Sequence, residues 1–344
     1  MAPLRSRYYR FLAAPLLGLA LLLAACEGPP PGFGLAVEGC PVTDAIIREA
    51  ARGIDCPVTL VVFFLQWSTD EADPFPAGSV EAIQAAGAIP VTTWEPMVLE
   101  GTNERVVNAE EILSGKWDEY IDAFAREAQR NNGRLILRFA HEMNLVRYHW
   151  GGIETDFGPD SPERYKAMFR YVHSRFRLAG ADNVLFAFCP NAESLPHPVR
   201  DEATWNTAKS YYPGDDVVDV LGMDGYNWGT TYTQAKDGWD SRFTPFAAIF
   251  EPLRKELRAL APDKPLVVFE TASVSQGGDK TAWIKDAAET ARRWGLAGLC
   301  WFQANKERDW RLTSDVEVSR LALQGRFAAG RHDLALPLRA GGTR

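Results

Sequence analysis

The chain has 344 residues, 46% of them hydrophobic and 24% charged, an ordinary globular composition with room for one large domain or two medium ones. A formal net charge of −8 makes it a poor partner for nucleic acid or anionic membrane surfaces and suits a neutral polymer. Most of its eleven Trp, ten Tyr and 18 Phe are expected to fill the core, but such flat apolar rings are also what sugars stack their C–H faces on.

The chain opens on a positive stretch, Arg5, Arg7 and Arg10, followed by 13 apolar residues from Phe11 to Leu23. That run is short for a membrane span and fits the h-region of an export signal. It closes on Leu23-Ala24-Ala25-Cys26, with Glu27-Gly28-Pro29-Pro30-Pro31-Gly32 behind it. Small residues before a Cys, with a Pro/Gly tether after it, resemble the lipobox of bacterial lipoproteins. The resemblance implies cleavage after residue 25, lipidation of Cys26, a tether over 26–32 and an exported domain anchored to the cell membrane. An ordinary secretory signal with a chance Cys is the competing reading. Loss of residues 1–25 takes three Arg and no acid, so the charge falls from −8 to −11. Of the remaining cysteines, Cys189 and Cys300 sit in strand-like runs and read as small buried hydrophobes. Cys40 follows one strand and Cys56 precedes the next. A barrel puts those at opposite ends, so no disulfide is expected.

Eight apolar runs then alternate with helical stretches: 33–37, 58–65, 88–93, 134–140, 184–189, 217–222, 265–269 and 297–302. Most are continuous rather than alternating, as expected for parallel strands buried on both faces. Trp117, Tyr120, Ile121, Phe124 and Ala128 form one helical stripe after a candidate Ser114 cap. Ser161-Pro162-Glu163 reads as cap, first-turn proline and first-turn acid. Eight βα repeats predict a single-domain (β/α)8 TIM barrel over 33–325, with a frayed tail over 326–344. A doubly wound open sheet competes less well, because no Gly-rich phosphate loop follows the first strand. Two long βα loops, Pro190 to Asp216 and Gly225 to about Pro245, belong to the C-terminal face of such a barrel, where active sites are built. The second carries Tyr226, Trp228, Tyr232 and Trp239.

The fourth strand delivers Arg138-Phe139-Ala140-His141-Glu142-Met143-Asn144, and the seventh delivers Phe269-Glu270. A charge at the end of a buried strand is costly unless something uses it. His141-Glu142 invites a zinc-protease reading, but the second His of that motif would stand at 145, where the chain has Leu145, and the context is a strand end. His149 is eight residues from His141 and offers no helical pairing. No metal and no other cofactor is expected. There is no Gly-x-Ser-x-Gly elbow for a Ser nucleophile either. Two Glu residues brought face to face across a barrel mouth are the minimum equipment for cleaving a glycosidic bond, with one neutral and the other ionised.

The stretch 138–144 resembles the acid/base strand of glycoside hydrolase family 26. So do, in order, Trp94-Glu95-Pro96, Cys189-Pro190-Asn191, Gly222-Met223-Asp224-Gly225-Tyr226, Phe269-Glu270 and Trp301-Phe302-Gln303. The resemblance spans roughly 33–325 and implies a (β/α)8 barrel with retaining chemistry. It gives Glu142 as acid/base and Glu270 as nucleophile. Tyr226 then hydrogen-bonds the nucleophile, His141 shapes the neighbouring subsite and Trp301 is the aromatic floor under the cleaved sugar. Trp150 lines the cleft, Asn191 contacts substrate, and Arg138 and Asp224 hold Tyr226 or Glu270 in place; for those two a purely structural ion pair competes. The chain departs from the mannanases of the family after the acid motif, where they continue Asn-Gly-x-Trp and this sequence has Asn144-Leu145-Val146-Arg147. A guanidinium at 147 suits stacking on a sugar or binding a carboxylate on an acidic polysaccharide. The expected activity is endo-hydrolysis of a β-linked polysaccharide, first β-1,4-mannan, by a lipid-anchored monomer. Another β-glucan, xylan or a self-made exopolysaccharide is the alternative substrate, and a non-catalytic polysaccharide-binding lipoprotein the alternative class.

Overall fold

The computed structural model describes residues 30–69, 74–101, 103–151, 158–312, 323–328, 330 and 336. Cys26 and the expected export segment lie outside them, as does most of the expected tail. The described strands are β1 (Gly32–Ala36), β2 (Val58–Trp67), β3 (Ile89–Glu100), β4 (Asn103–Val106), β5 (Leu135–Phe139), β6 (Val184–Phe188), β7 (Val220–Asn227), β8 (Leu266–Ser273) and β9 (Gly298–Phe302). The helices are α1 (Asp44–Ala50), α2 (Ala77–Ala85), α3 (Ala109–Leu113), α4 (Asp118–Asn131), α5 (Ser161–Leu178), α6 (Ala208–Tyr211), α7 (Gln234–Asp237), α8 (Phe246–Leu260) and α9 (Lys280–Arg293). Pairing runs in parallel from β2 through β1, β9, β8, β7, β6, β5 and β3, and a further parallel β2–β3 pairing closes the ring. The result is the expected single-domain (β/α)8 barrel.

The residues explain the closure. β1, β5, β6 and β9 are buried along their whole length, because the ring covers one face and the helices the other. Where α4 meets β2, β3 and β5, aromatic rings interlock. Trp94 lies 4.5 Å from Phe124 and 4.7 Å from Trp67 between ring centroids. Each such pair contributes about 0.5–1.5 kcal/mol beyond the area it buries. Side-chain caps from Thr43, Asn108 and Asp279 fix the starts of α1, α3 and α9, at about 1 kcal/mol apiece.

Four expectations need correction. The strands that build the site are longer than their apolar runs, with β7 reaching Asn227 and β8 reaching Ser273. Their polar ends read as loop, yet they stay paired past a shift in register between Met223 and Asp224, with Asp224 opposite Glu270 and Tyr226 opposite Ala272. Second, β4 folds back antiparallel on the end of β3; its sequence Asn103-Glu104-Arg105-Val106 is largely exposed and has no apolar alternation to announce it. Third, Ser114 does not cap the Trp117 stripe; it ends the short α3, and α5 begins at Ser161 itself after an Asp160 cap. Fourth, packing extends beyond 33–325. Phe327 sets its ring edge-on to Phe33 at 5.1 Å, the Ala328 N–H donates to the Pro31 carbonyl at 2.9 Å, and Leu336 is buried. The tether boundary moves with them, since Pro31 and Gly32 are buried too. Apolar residues of the expected tail thus lie against the strand that opens the barrel.

Candidate active site

The site grows from Arg138. It sits on β5 among fully buried neighbours and is itself 0% exposed. A buried guanidinium must have all its charge answered. Its Nη1 donates to Asp224 Oδ2 at 2.5 Å, its Nη2 to Glu270 Oε1, and Nε and Nη2 both reach Thr93 Oγ1 at 2.9 and 2.6 Å. The Phe64 and Phe269 rings lie near its planar group, at 5.5 and 5.9 Å. Beneath it, Gly222 lets the Cys189 side chain and Phe269 close in, since a Cβ there would stand 2.7 Å from Cys189 Sγ. Arg138 thereby ties β3, β5, β7 and β8 into one rigid floor.

Past Phe139 the backbone turns sharply. Ala140 and Glu142 take φ of +49° and +50°, a left-handed conformation that costs a side-chain-bearing residue roughly 1–3 kcal/mol. Neighbouring strands hold it there. The Ala140 N–H donates to the Trp94 carbonyl at 3.1 Å and the Glu142 N–H to the Cys189 carbonyl at 2.8 Å. A reciprocal pair fastens the next turn, Asn144 Nδ2 to the Asn191 carbonyl and Asn191 N–H to Asn144 Oδ1, both at 2.9 Å. Asn191 Nδ2 then donates to Glu142 Oε1 at 2.6 Å. Asn191, expected on the substrate, is in place to orient the acid.

The two carboxyls have different surroundings. Glu142 accepts one amide bond and is 8% exposed. Burial first, and the Glu270 charge second, push its carboxyl up from 4.5 to about 7, against the Asn191 bond and Arg138. Glu270 receives two strong donors, Arg138 on Oε1 and the Tyr226 hydroxyl on Oε2 at 2.5 Å. Burial pushes Asp224 well up, with the Arg138 charge opposing. His141 is buried, and burial followed by the Arg138 charge drives it well below its ordinary value, so it is neutral near pH 7. Its Nδ1 has no hydrogen-bond partner among the described residues.

Three expected residues are placed differently by the structure. Trp301 is 2% exposed and faces the helices, edge-on to Trp283 of α9, with its Nε1–H on the Trp310 carbonyl at 2.8 Å. Successive residues of a strand point to opposite faces, so Phe302 is the ring that turns inward, against Tyr226 at 5.7 Å and Phe64 at 6.2 Å. Trp150 is 2% exposed and does not line the cleft. It donates to the His141 carbonyl at 2.7 Å and stacks under Tyr148 at 4.5 Å and 13°. Arg147 is not free for a sugar acid. It forms a two-pronged pair with Glu104 of β4 at 3.0 and 3.2 Å and lies over Tyr148 at 5.1 Å.

Sequence reasoning passed over Tyr148, Glu95 and Thr93. The Tyr148 ring lies 4.8 Å from His141. Burial and then the Glu142, Glu95 and Glu270 charges hold its phenol well above the usual range. Glu95, at 4% exposure, accepts from Gln66 Nε2. Burial lifts it to about 7, opposed by that bond and by Arg138. Its signal was available in Trp94-Glu95-Pro96, another acid in an otherwise apolar run. For Tyr148 and Thr93 there was none.

His141, Asp224 and Glu270 bring possible ligand atoms within 4.8 Å of one another. A guanidinium already donates to both carboxylates there, so a metal ion would have to enter against a fixed positive charge. The arrangement suits proton transfer and nucleophilic attack: a buried carboxyl that keeps a proton up to about pH 7, and a second Glu side chain fixed by two donors.

Comparison with known proteins gives the family. The model of glycosyl hydrolase family 26 matches residues 84–293. Endoglucanase H of Acetivibrio thermocellus is 32% identical over 257 residues, 74% of this chain and 26% of that protein. Mannan endo-1,4-beta-mannosidase of Bifidobacterium adolescentis is 32% identical over 137 residues, 36% of this chain and 12% of that protein. The chain therefore spans about a quarter or less of these two relatives. Among solved structures, a β-mannanase of this family from Bacteroides ovatus superimposes with a TM-score of 0.59 at 19% identity, covering 93% of this chain and 95% of the other. That likeness is one of fold.

Proposed function

This chain belongs to glycosyl hydrolase family 26, and on that premise we propose that it is a retaining endo-β-glycosidase with Glu142 as acid/base and Glu270 as nucleophile. One observation carries the assignment: Glu142 is raised to about 7 while Glu270, whose charge helps raise it, is gripped by Arg138 and Tyr226. Near pH 7 about half of the Glu142 carboxyls still hold a proton to give to the glycosidic oxygen. A Glu270 oxygen attacks the anomeric carbon as the C–O bond to the leaving sugar breaks, forming a glycosyl ester. That ester cancels the Glu270 charge, so one cause of the raised Glu142 value disappears. Glu142, now ionised, takes a proton from the incoming water, which hydrolyses the ester with net retention. Arg138 and Tyr226 hold the nucleophile throughout.

The substrate we propose is a neutral β-linked polysaccharide, first β-1,4-mannan, the polymer named in the mannosidase relatives. A second reading is a β-glucan. It is favoured by the longer match to an endoglucanase. We also propose that Cys26 is lipidated and anchors the enzyme to the cell membrane, on the strength of the N-terminal sequence alone. A Cys26→Ser variant should then lose membrane association.

The test is reducing-sugar release by the mature protein from mannan, mixed-linkage glucan, xylan and an acidic exopolysaccharide. Activity on one of the neutral polymers, abolished by Glu142→Ala and by Glu270→Ala, is the expected result. Proton NMR of the first product should show the anomeric configuration of the substrate. Full activity in either variant would remove the catalytic assignment, and an inverted first product would remove the double displacement.

A further inference from the structure

We infer that the segment between β7 and α8 carries a distal sugar-binding platform, formed by the outer face of Trp239 backed by Tyr232, for a unit of the polymer beyond the one held between Glu142 and Glu270. The ligand class rests on the function proposed above; the platform rests on its own geometry. A continuous series of rings leads out from the nucleophile. Tyr226, bonded to Glu270, lies 6.0 Å from Trp228, Trp228 lies 5.3 Å from Tyr232, and Tyr232 stacks on Trp239 at 4.8 Å and 23°. Of the eleven Trp residues, Trp239 alone is exposed by more than a third, at 45%.

Folding does not account for that exposure, because the segment is built to hold the ring still. Tyr232 and Ser241 exchange two hydrogen bonds, Tyr232 N–H to Ser241 Oγ at 2.9 Å and Ser241 N–H to the Tyr232 carbonyl at 3.1 Å. The Gln234 N–H is taken by Asp240 Oδ1 at 2.7 Å. Arg308 places its guanidinium 4.6 Å over the Tyr232 ring and donates to the Thr231 carbonyl at 3.2 Å. Tyr232 is thus packed by both Arg308 and Trp239, and Trp239 rests on a fixed support while nearly half of it stays exposed. A rigid, prepositioned aromatic surface is the low-entropy way to bind a partner. The partner that fits is the flat C–H face of a sugar, because the ring series starts at the residue that holds the nucleophile. A chain lying along it is engaged at two separated points.

The variants Trp239→Ala and Trp239→Phe test this with two readouts. The first is kinetics on the long polymer and on a short aryl glycoside that ends before the platform. Trp239→Ala is expected to raise KM for the polymer about tenfold, in line with the loss of one stacking contact, with kcat and the kinetics of the short glycoside preserved. Trp239→Phe should recover most of the affinity. The second readout is tryptophan fluorescence during titration with mannan and mixed-linkage glucan oligosaccharides of increasing length. A change that appears only with the longer chains and is lost in Trp239→Ala supports the platform, even if no polymer is cleaved. An unchanged polymer KM, an equal loss on both substrates, or a fluorescence response independent of Trp239 would overturn it.

Discussion

The substitution Glu142→Gln should make the protein less sensitive to alkali while destroying its activity, and the size of the first effect can be worked from the site. Burial, with the Glu270 charge behind it, raises Glu142 from 4.5 to about 7. Between those two values the folded protein keeps a proton that the unfolded chain has already released. The unfolded state then binds fewer protons, so the unfolding free energy falls as pH rises. The whole rise corresponds to about 3 kcal/mol of stability, present below the unfolded value and gone above the folded one. From about pH 5 to about pH 8 the wild type should lose roughly 2–3 kcal/mol through this group alone. The Gln side chain has the same shape and the same oxygen for the Asn191 amide, but no proton to lose. Glu95, also raised to about 7, titrates in both proteins and drops out of the difference. Urea unfolding of both proteins across this range measures the gap. Stability curves that stay parallel would mean that Glu142 is not a buried, protonated acid, and the catalytic assignment would lose its physical basis.

Three further outcomes follow from the same contacts. Arg138→Met leaves Asp224 and Glu270 as buried carboxyls without their cation and should cost about 3–5 kcal/mol in denaturant unfolding. Adding Asp224→Asn should return part of that loss, and no return would show that Arg138 stabilises by packing rather than by charge. Tyr226→Phe removes one of the two donors on Glu270, and a lost hydrogen bond to a charged group predicts a fall in kcat of roughly tenfold to a hundredfold, with the fold unchanged by circular dichroism. Asn191→Ala removes a bond that favours ionised Glu142. The acid should hold its proton to higher pH, so the alkaline limb of kcat/KM should move upward; a downward move would contradict the bond's role.

Which parts of this site could be read from the chain depends on what each residue's role requires. The barrel was legible because eight buried strands leave eight apolar runs, and a carboxylate at the end of such a run is conspicuous whatever its neighbours do. Glu142, Glu270 and Arg138 therefore stand out one by one. Trp301 and Phe302 show where that kind of reading stops. Both are large, apolar and at the end of β9, and a resemblance can point to either; only the pleat of the strand decides that Phe302 meets Tyr226 while Trp301 meets Trp283. The same limit explains Trp150 and Tyr148. The sequence offers two rings after the acid, and the Trp150 bond to the His141 carbonyl makes one the support and the other the surface. Arg147 shows it for charge, since its partner is Glu104, 43 residues earlier on a hairpin with no apolar signature. Residues whose chemistry is costly when buried announce themselves. Residues whose role is set by which neighbour they turn toward, from Tyr148 and Phe302 to Arg147, do not, because those neighbours are brought up by the turn after the acid, by another strand and by a hairpin far away in the chain.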